Sequence, residues 1–158
     1  MTTVSLRKMT EAEYAAATEH REAESVRVLS KVMPEELARE RVRRGTARFL
    51  PDGLDTADHR LLTAENEAGE AVGNVWIGPD PSNADAAWVY DINVFAPFRR
   101  RGYGAAILAV AEALVTDEGR TALGLSVDGE NEAAIALYRK AGFGVTSMSM
   151  RKTLKASP

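Results

Sequence analysis

The spacing of apolar and polar residues divides the chain near residue 60. Upstream, SLRKM at 5–9 reads as a short strand. Residues 10–31 are rich in Ala, Glu and Arg, and Thr10 and Glu13 stand in capping-box spacing, which predicts a helix. A second helix is expected over PEELARERVRRGTARFL, with Pro34 at its first position and an acidic start and basic end that suit the helix dipole. PDGLDTADH, 51–59, closes it as a turn.

Downstream the pattern shortens to apolar or alternating runs. HRLLTAENE and EAVGNVWIG pair as a hairpin around Ala68 and Gly69, and GPDPSNADA reads as a loop. AAWVYDINVF, 86–95, is the clearest strand, because it combines β-branched and aromatic residues with period-2 order. That period places Trp88, Tyr90, Ile92 and Val94 on one face, and Val89, Asp91, Asn93 and Phe95 on the other. AAILAVAEALVTDEG is expected as a buried helix ended by Gly119, TALGLSV as a strand, ENEAAIALYRKAG as a helix closed by Gly142, and FGVTSMSMRKT as a last strand.

The order is one strand, two helices, three strands, then helix, strand, helix, strand. It predicts an α/β (α+β) domain in which helices cover a central mixed, mostly antiparallel sheet, parallel only around the strand–helix–strand unit 86–127. Ligands favour the carboxyl ends of parallel strands, so that unit is where one is expected. With 158 residues, 45% of them hydrophobic, the chain has material for one core, and a single domain over 1–158 is expected. No apolar run approaches the roughly 20 residues of a membrane span, and MTTVSLRKMT lacks the apolar stretch of a signal peptide, so a soluble, cytoplasmic protein without membrane partners is expected.

Composition then narrows the chemistry. The chain has no cysteine, which removes disulfides, thiolate metal sites and cysteine nucleophiles. His20 and His59 are far apart and fit no metal-ligand spacing, so no metal is expected; His59, before a strand in a polar loop, reads as a surface residue. A formal net charge of -3 disfavours nucleic acid as a partner. Against that background RRRGYGAA, 99–106, stands out: three arginines run through Gly102-x-Gly104 into an apolar helix, which suits an anion such as pyrophosphate at a helix N-terminus. The loop is neither a P-loop, lacking Lys followed by Ser or Thr, nor a GxGxxG fingerprint, since Ile107 replaces the third glycine.

Taken together, Arg99-x-x-Gly102-x-Gly104 after a strand ending at Val94, followed by Asn131-x-x-Ala134-x-x-Leu137-Tyr138-x-x-x-Gly142-Phe143, resembles the GNAT superfamily of N-acetyltransferases, most closely over 86–143. The resemblance implies a three-layer fold with a helical acceptor-side region at 1–59 and a coenzyme A-binding core at 60–152. It implies acetyl-CoA as cosubstrate, its pyrophosphate held by Arg99, Arg100, Arg101, Gly102, Tyr103, Gly104 and Ala105. Val94, with Phe95 and Ala96 adjoining, would line the pantetheine arm and polarise the thioester carbonyl through a main-chain N–H. Asn131 would contact the coenzyme arm, and Tyr138 would protonate the departing thiolate, a task that a phenol with pKa near 10 can perform.

Seven residues separate Asn131 from Tyr138, two helical turns, which puts both on one side. An amine nucleophile must first lose a proton, so a base is wanted. Asp91, polar on a core strand, is either that base or the partner of an arginine; acidic residues of the first helix or of 79–85 acting through water are alternatives. Asn93 departs from relatives that carry an acid there. The acceptor is expected to be the amine of a small molecule or peptide, with a cationic amine such as a polyamine, amino sugar or peptide N-terminus suited to the acidic residues of these segments. A homodimer is possible for such a fold. A non-catalytic acyl-CoA-binding or sensing module is the alternative to an enzyme.

Overall fold

The computed structural model describes residues 2–155, which fall into two compact units divided between Ser126 and Val127. The first unit holds a five-stranded sheet with neighbours in chain order: β1 (Ser5–Lys8), β2 (Arg60–Glu65), β3 (Ala71–Asp80), β4 (Asn83–Val94) and β5 (Ala122–Leu125). All adjacent pairs are antiparallel except β4 with β5, which is parallel. The expected mixed, mostly antiparallel sheet is therefore present.

Helix α1 (Glu11–Leu29) starts where its sequence dictates. The Thr10 hydroxyl accepts the Glu13 N–H at 3.1 Å while the Glu13 carboxylate accepts the Thr10 N–H at 2.9 Å, so two otherwise unpaired donors are satisfied. Helix α2 (Glu35–Phe49) begins one residue later than expected, with Pro34 as its cap rather than its first residue. Together α1 and α2 cover one face of the sheet over Met9, Leu50, Leu61 and Trp76. The other face carries α3 (Tyr103–Asp117), whose Ile107, Ala111 and Val115 close over Val72, Val75, Ile77, Ala87 and Val89. Helix–sheet–helix layering follows, with apolar side chains removed from water on both faces.

Two expectations fail here. GPDPSNADA is mostly strand, not loop: β3 runs to Asp80 and β4 starts at Asn83, leaving a two-residue turn. Pro79 is tolerated because the register shifts between Pro79 and Asp80, where a missing N–H costs least. The second unit contains α4 (Glu132–Lys140), but residues 143–155 form no strand, because no described strand pairs with them and an unpaired segment has no ladder for its backbone groups. Val145, Met148, Met150 and Leu154 are exposed there. Among the described residues no helix is long and apolar enough to cross a membrane.

Candidate active site

The site is shaped by one extra residue in β4. Trp76 pairs with Asp91 but Ile77 pairs with Val89, so Tyr90 is a β-bulge. The bulge breaks the period-2 pattern. Ala87 and Val89, and then Ile92 and Val94, face the α3 core, whereas Tyr90 packs with Trp76 under α1 and Asn93 and Phe95 line a cavity on that same side. Sequence periodicity had grouped Val89 with Asp91 and Asn93; the extra residue puts it on the opposite face.

The bulge also ends the parallel pairing. β4 and β5 stay in register from Ala86–Ala122 to Val89–Leu125, and β5 then stops while β4 continues to Val94. Residues 90–94 thus present an edge with no β5 partner. At its end the Phe95 N–H donates to the Val72 carbonyl at 2.9 Å, which makes Val94 and Gly73 a non-hydrogen-bonded pair. The N–H and C=O of Val94 therefore turn away from β3, toward that edge. The Arg99 Nε–H donates to the Val94 carbonyl at 2.9 Å, leaving the Val94 N–H as the donor aimed into the opening.

The anion loop follows directly. Phe95 and Ala96 lead into a short 3₁₀ turn, Ala96–Phe98. Arg100 and Gly102 take positive φ, 63° and 85°, and Gly102 caps α3 in a left-handed conformation that glycine adopts without steric cost. Phe98 and Tyr103 pack against the core, their rings 6.0 Å apart and edge to face, while Arg99, Arg100 and Arg101 are exposed. Thr2 fixes the loop from outside, its hydroxyl donating to the Arg101 carbonyl at 2.7 Å. The N–H groups of Tyr103, Gly104 and Ala105 in the first turn of α3 have no acceptor within the helix, which is the donor set an anion needs. Arg99 is partly committed, since its Nε holds β4 rather than facing a ligand.

Beneath α1 lies the aromatic group that carries the bulge. Trp76 stacks on Tyr90 with centroids 4.6 Å apart and planes at 16°, and the Tyr90 hydroxyl donates to the Pro79 carbonyl at 2.6 Å. His59 is no surface residue. The Trp76 Nε1–H donates to its Nδ1 at 2.9 Å, its ring lies 5.3 Å from Tyr90, and burial pushes its pKa down. Arg21, only 9% exposed, lies 4.7 Å above the Trp76 ring, and its Nη2 has no hydrogen-bond partner. Asp91 is partly buried, and desolvation raises its pKa although Arg21 and His20 attract its charge. Arg21 is thus the arginine whose charge offsets part of the cost of burying Asp91.

Asn131 and Tyr138 belong to the second unit. Asn131 is the N-cap of α4, with φ -85° and ψ 77°, and its side-chain oxygen accepts the Ala134 N–H at 3.1 Å. As the cap it heads the helix, its carbonyl accepting the Ile135 N–H at 3.0 Å, seven residues before Tyr138. Gly142, at φ 99°, turns the chain so that Phe143 packs edge-on against Tyr138 with centroids 5.9 Å apart. Sequence reasoning missed His20, which faces a cavity described below; the signal was the recurrence Glu13, Ala16, Ala17, His20 on one helical face.

A layered mixed sheet with a bulged central strand and an opened parallel pair, followed by a glycine- and arginine-rich loop at a helix start, offers an open edge and unpaired N–H donors side by side. The sequence model of the acetyltransferase (GNAT) family matches residues 15–143, so the chain belongs to that family and is an acyltransferase. It is 31% identical over 107 residues to the uncharacterized N-acetyltransferase YdgE of Bacillus subtilis, covering 67% of this chain and 68% of YdgE. It is 33% identical over 107 residues to the uncharacterized N-acetyltransferase YycN of the same organism, covering 67% and 69%. The crystal structure of YycN superposes with a TM-score of 0.90 at 27% identity over 98% of this chain and 100% of that one. A mycothiol acetyltransferase of Propionibacterium freudenreichii subsp. shermanii is 35% identical over 101 residues, 63% of this chain but only 32% of that protein.

Proposed function

We propose that the protein transfers the acetyl group of acetyl-CoA to the primary amine of a small molecule or peptide, both substrates being bound together. The observation that carries this reading is the Val94 N–H, aimed into the edge that β5 leaves open, one short turn before the left-handed Gly102 cap. A thioester laid along residues 90–94 would bring its carbonyl to that donor, where charge develops during attack. Its pyrophosphate would meet the first-turn N–H groups of α3 and the arginines of 99–101. Phe95 and Ala96 would flank the arm. The amine lone pair attacks the carbonyl carbon, the C–N bond forms, the C–S bond breaks, Tyr138 gives its phenolic proton to the thiolate, and the proton released by the nitrogen restores the phenol. The roles of Tyr138 and Asn131 rest on the sequence motif they share with the family.

Calorimetry with acetyl-CoA, and with NAD and ATP as controls, tests this on the native chain and on Gly104→Glu. Binding of acetyl-CoA alone, lost in the variant while the fold is kept, supports the reading; absence of acetyl-CoA binding overturns it. Thiol release can then be followed across amines without interference, since the chain has no cysteine.

A further inference from the structure

A cavity of about 230 Å³ lies between α1 and the sheet. Its roof is one face of α1, Glu13, Ala16, Ala17 and His20 at i, i+3, i+4 and i+7, and the two alanines leave the space open. Its floor is a polar row. Thr63 pairs with Asn74 and Asn74 with Asn93, so three polar side chains stand side by side across β2, β3 and β4, with Thr63 and Asn74 only 2% and 6% exposed. Among the described residues Asn74 and Asn93 make no side-chain hydrogen bond within the protein. Asn74 is buried and Asn93 half-buried, and amides that face a cavity without a protein partner are available to a ligand. Asn93 and Phe95, both lining the cavity, are the neighbours of Val94, so the cavity ends where the Val94 N–H turns to the open edge.

The groups that can take a proton there are few. Glu13 is held by Arg7 through two bonds of 2.8 and 3.0 Å and by the Thr10 N–H, which brings its pKa to about 2. A carboxylate so stabilised is a poor acceptor for a proton from an alkylammonium near pKa 10. Arg21 is a cation and lies on Trp76. Asp91, on β4, does not line the cavity, but its charge and that of His20 attract each other. His20 does line it, and is exposed, so that a proton taken from within can pass to water. Imidazole is the side chain suited to that exchange near neutral pH.

We propose that His20 is the catalytic base of this acyltransferase, receiving the proton of an ammonium group whose small polar end is seated on the Thr63–Asn74–Asn93 row. The proposal rests on the acetyl-transfer reading above. The ammonium N–H bond breaks toward the His20 ring nitrogen, the freed lone pair attacks the thioester carbon, and as the C–S bond breaks Tyr138 protonates the thiolate while the second proton released by the nitrogen restores the phenol. One proton per turnover leaves through His20 to solvent. Because both Glu13 oxygens are already taken by Arg7 and the Thr10 N–H, the cavity offers no open carboxylate for a second ammonium group, and the acceptor is a small monoamine with an uncharged hydrogen-bonding neighbour, not a polyamine.

Thiol release is measured with glycinamide, ethylamine, 2,2,2-trifluoroethylamine and spermidine against native protein and His20→Gln, whose substitution at an exposed position leaves the fold intact by circular dichroism. The expected result is that His20→Gln lowers kcat/KM for ethylamine by on the order of 10²- to 10⁴-fold. The loss is much smaller for the weakly basic trifluoroethylamine, acetyl-CoA affinity is unchanged, and added imidazole restores part of the rate. Glycinamide is preferred to spermidine, and Asn74→Leu removes that preference. Equal activity of His20→Gln on every amine, or an equal loss on strongly and weakly basic amines, overturns the role of His20. Failure of the native protein to bind acetyl-CoA instead overturns the function on which it rests.

Discussion

Trp76 and Tyr90 stack at 4.6 Å with their planes 16° apart, and Tyr90 is the residue that β4 has in excess of β3. The bulge is thus held by a ring contact and by the bond from the Tyr90 hydroxyl to Pro79. Trp76→Ala removes the platform and is expected to cost about 3–5 kcal/mol, read as a lower urea midpoint. Tyr90→Phe keeps the stack and loses one hydrogen bond, an expected cost of about 0.5–1.5 kcal/mol. If both variants lose equally, the hydroxyl and not the stack holds the bulge.

This relationship marks the limit of what the sequence discloses. The order of elements up to α4 was legible because helical and strand periods differ strongly around residue 60, and the turn into α3 was legible because Gly102 can take the left-handed conformation that caps it. The bulge was not, since the residues of 86–95 alternate plausibly with or without a skipped position, and only pairing with Trp76 and Ile77 reveals which residue is extra. His20 drew no attention for a related reason: Asn74 and Asn93, which line the same cavity, lie on strands distant in sequence. Asn131 was legible as a motif position, but its capping role depends on where α4 starts.

Gly73 stands opposite Val94, and a Cβ there would overlap the Asn93 carbonyl oxygen. Backbone cannot yield as a flexible side chain can. Gly73→Ala should therefore push β4 at the point where the Val94 N–H is aimed, lowering kcat more than the affinity for acetyl-CoA. Steady-state kinetics beside calorimetry check this; an unchanged kcat would mean that the Val94 donor is not part of the reaction.

Acid should destabilise the fold in two stages. Burial lowers the pKa of His59, and Trp76 donates to its Nδ1, so the folded state binds the proton less readily than the unfolded chain. Stability from this group is complete above about pH 6.5, the ordinary histidine value, and falls as pH drops below it. Glu13, with its pKa lowered from 4.5 to about 2 chiefly by Arg7, contributes above pH 4.5 and loses its contribution as pH falls toward 2. Denaturant midpoints against pH should show both declines, the upper one absent in His59→Gln and the lower one absent in Glu13→Gln.

Asn131 can be tested as cap and as ligand separately. Its side-chain oxygen accepts the Ala134 N–H, so Asn131→Ala should destabilise α4 by about 0.5–2 kcal/mol. Asn131→Asp keeps an acceptor of the same reach at a helix N-terminus, where negative charge is favoured, and should retain or raise stability. What the aspartate lacks is the amide NH₂, the only group of Asn131 that the cap leaves available to donate to a carbonyl of the coenzyme arm. A stable Asn131→Asp protein with weakened acetyl-CoA binding would therefore assign the NH₂ to the coenzyme. Full binding by that variant would leave Asn131 as a helix cap alone, and the resemblance at this position would then be one of structure and not of contact.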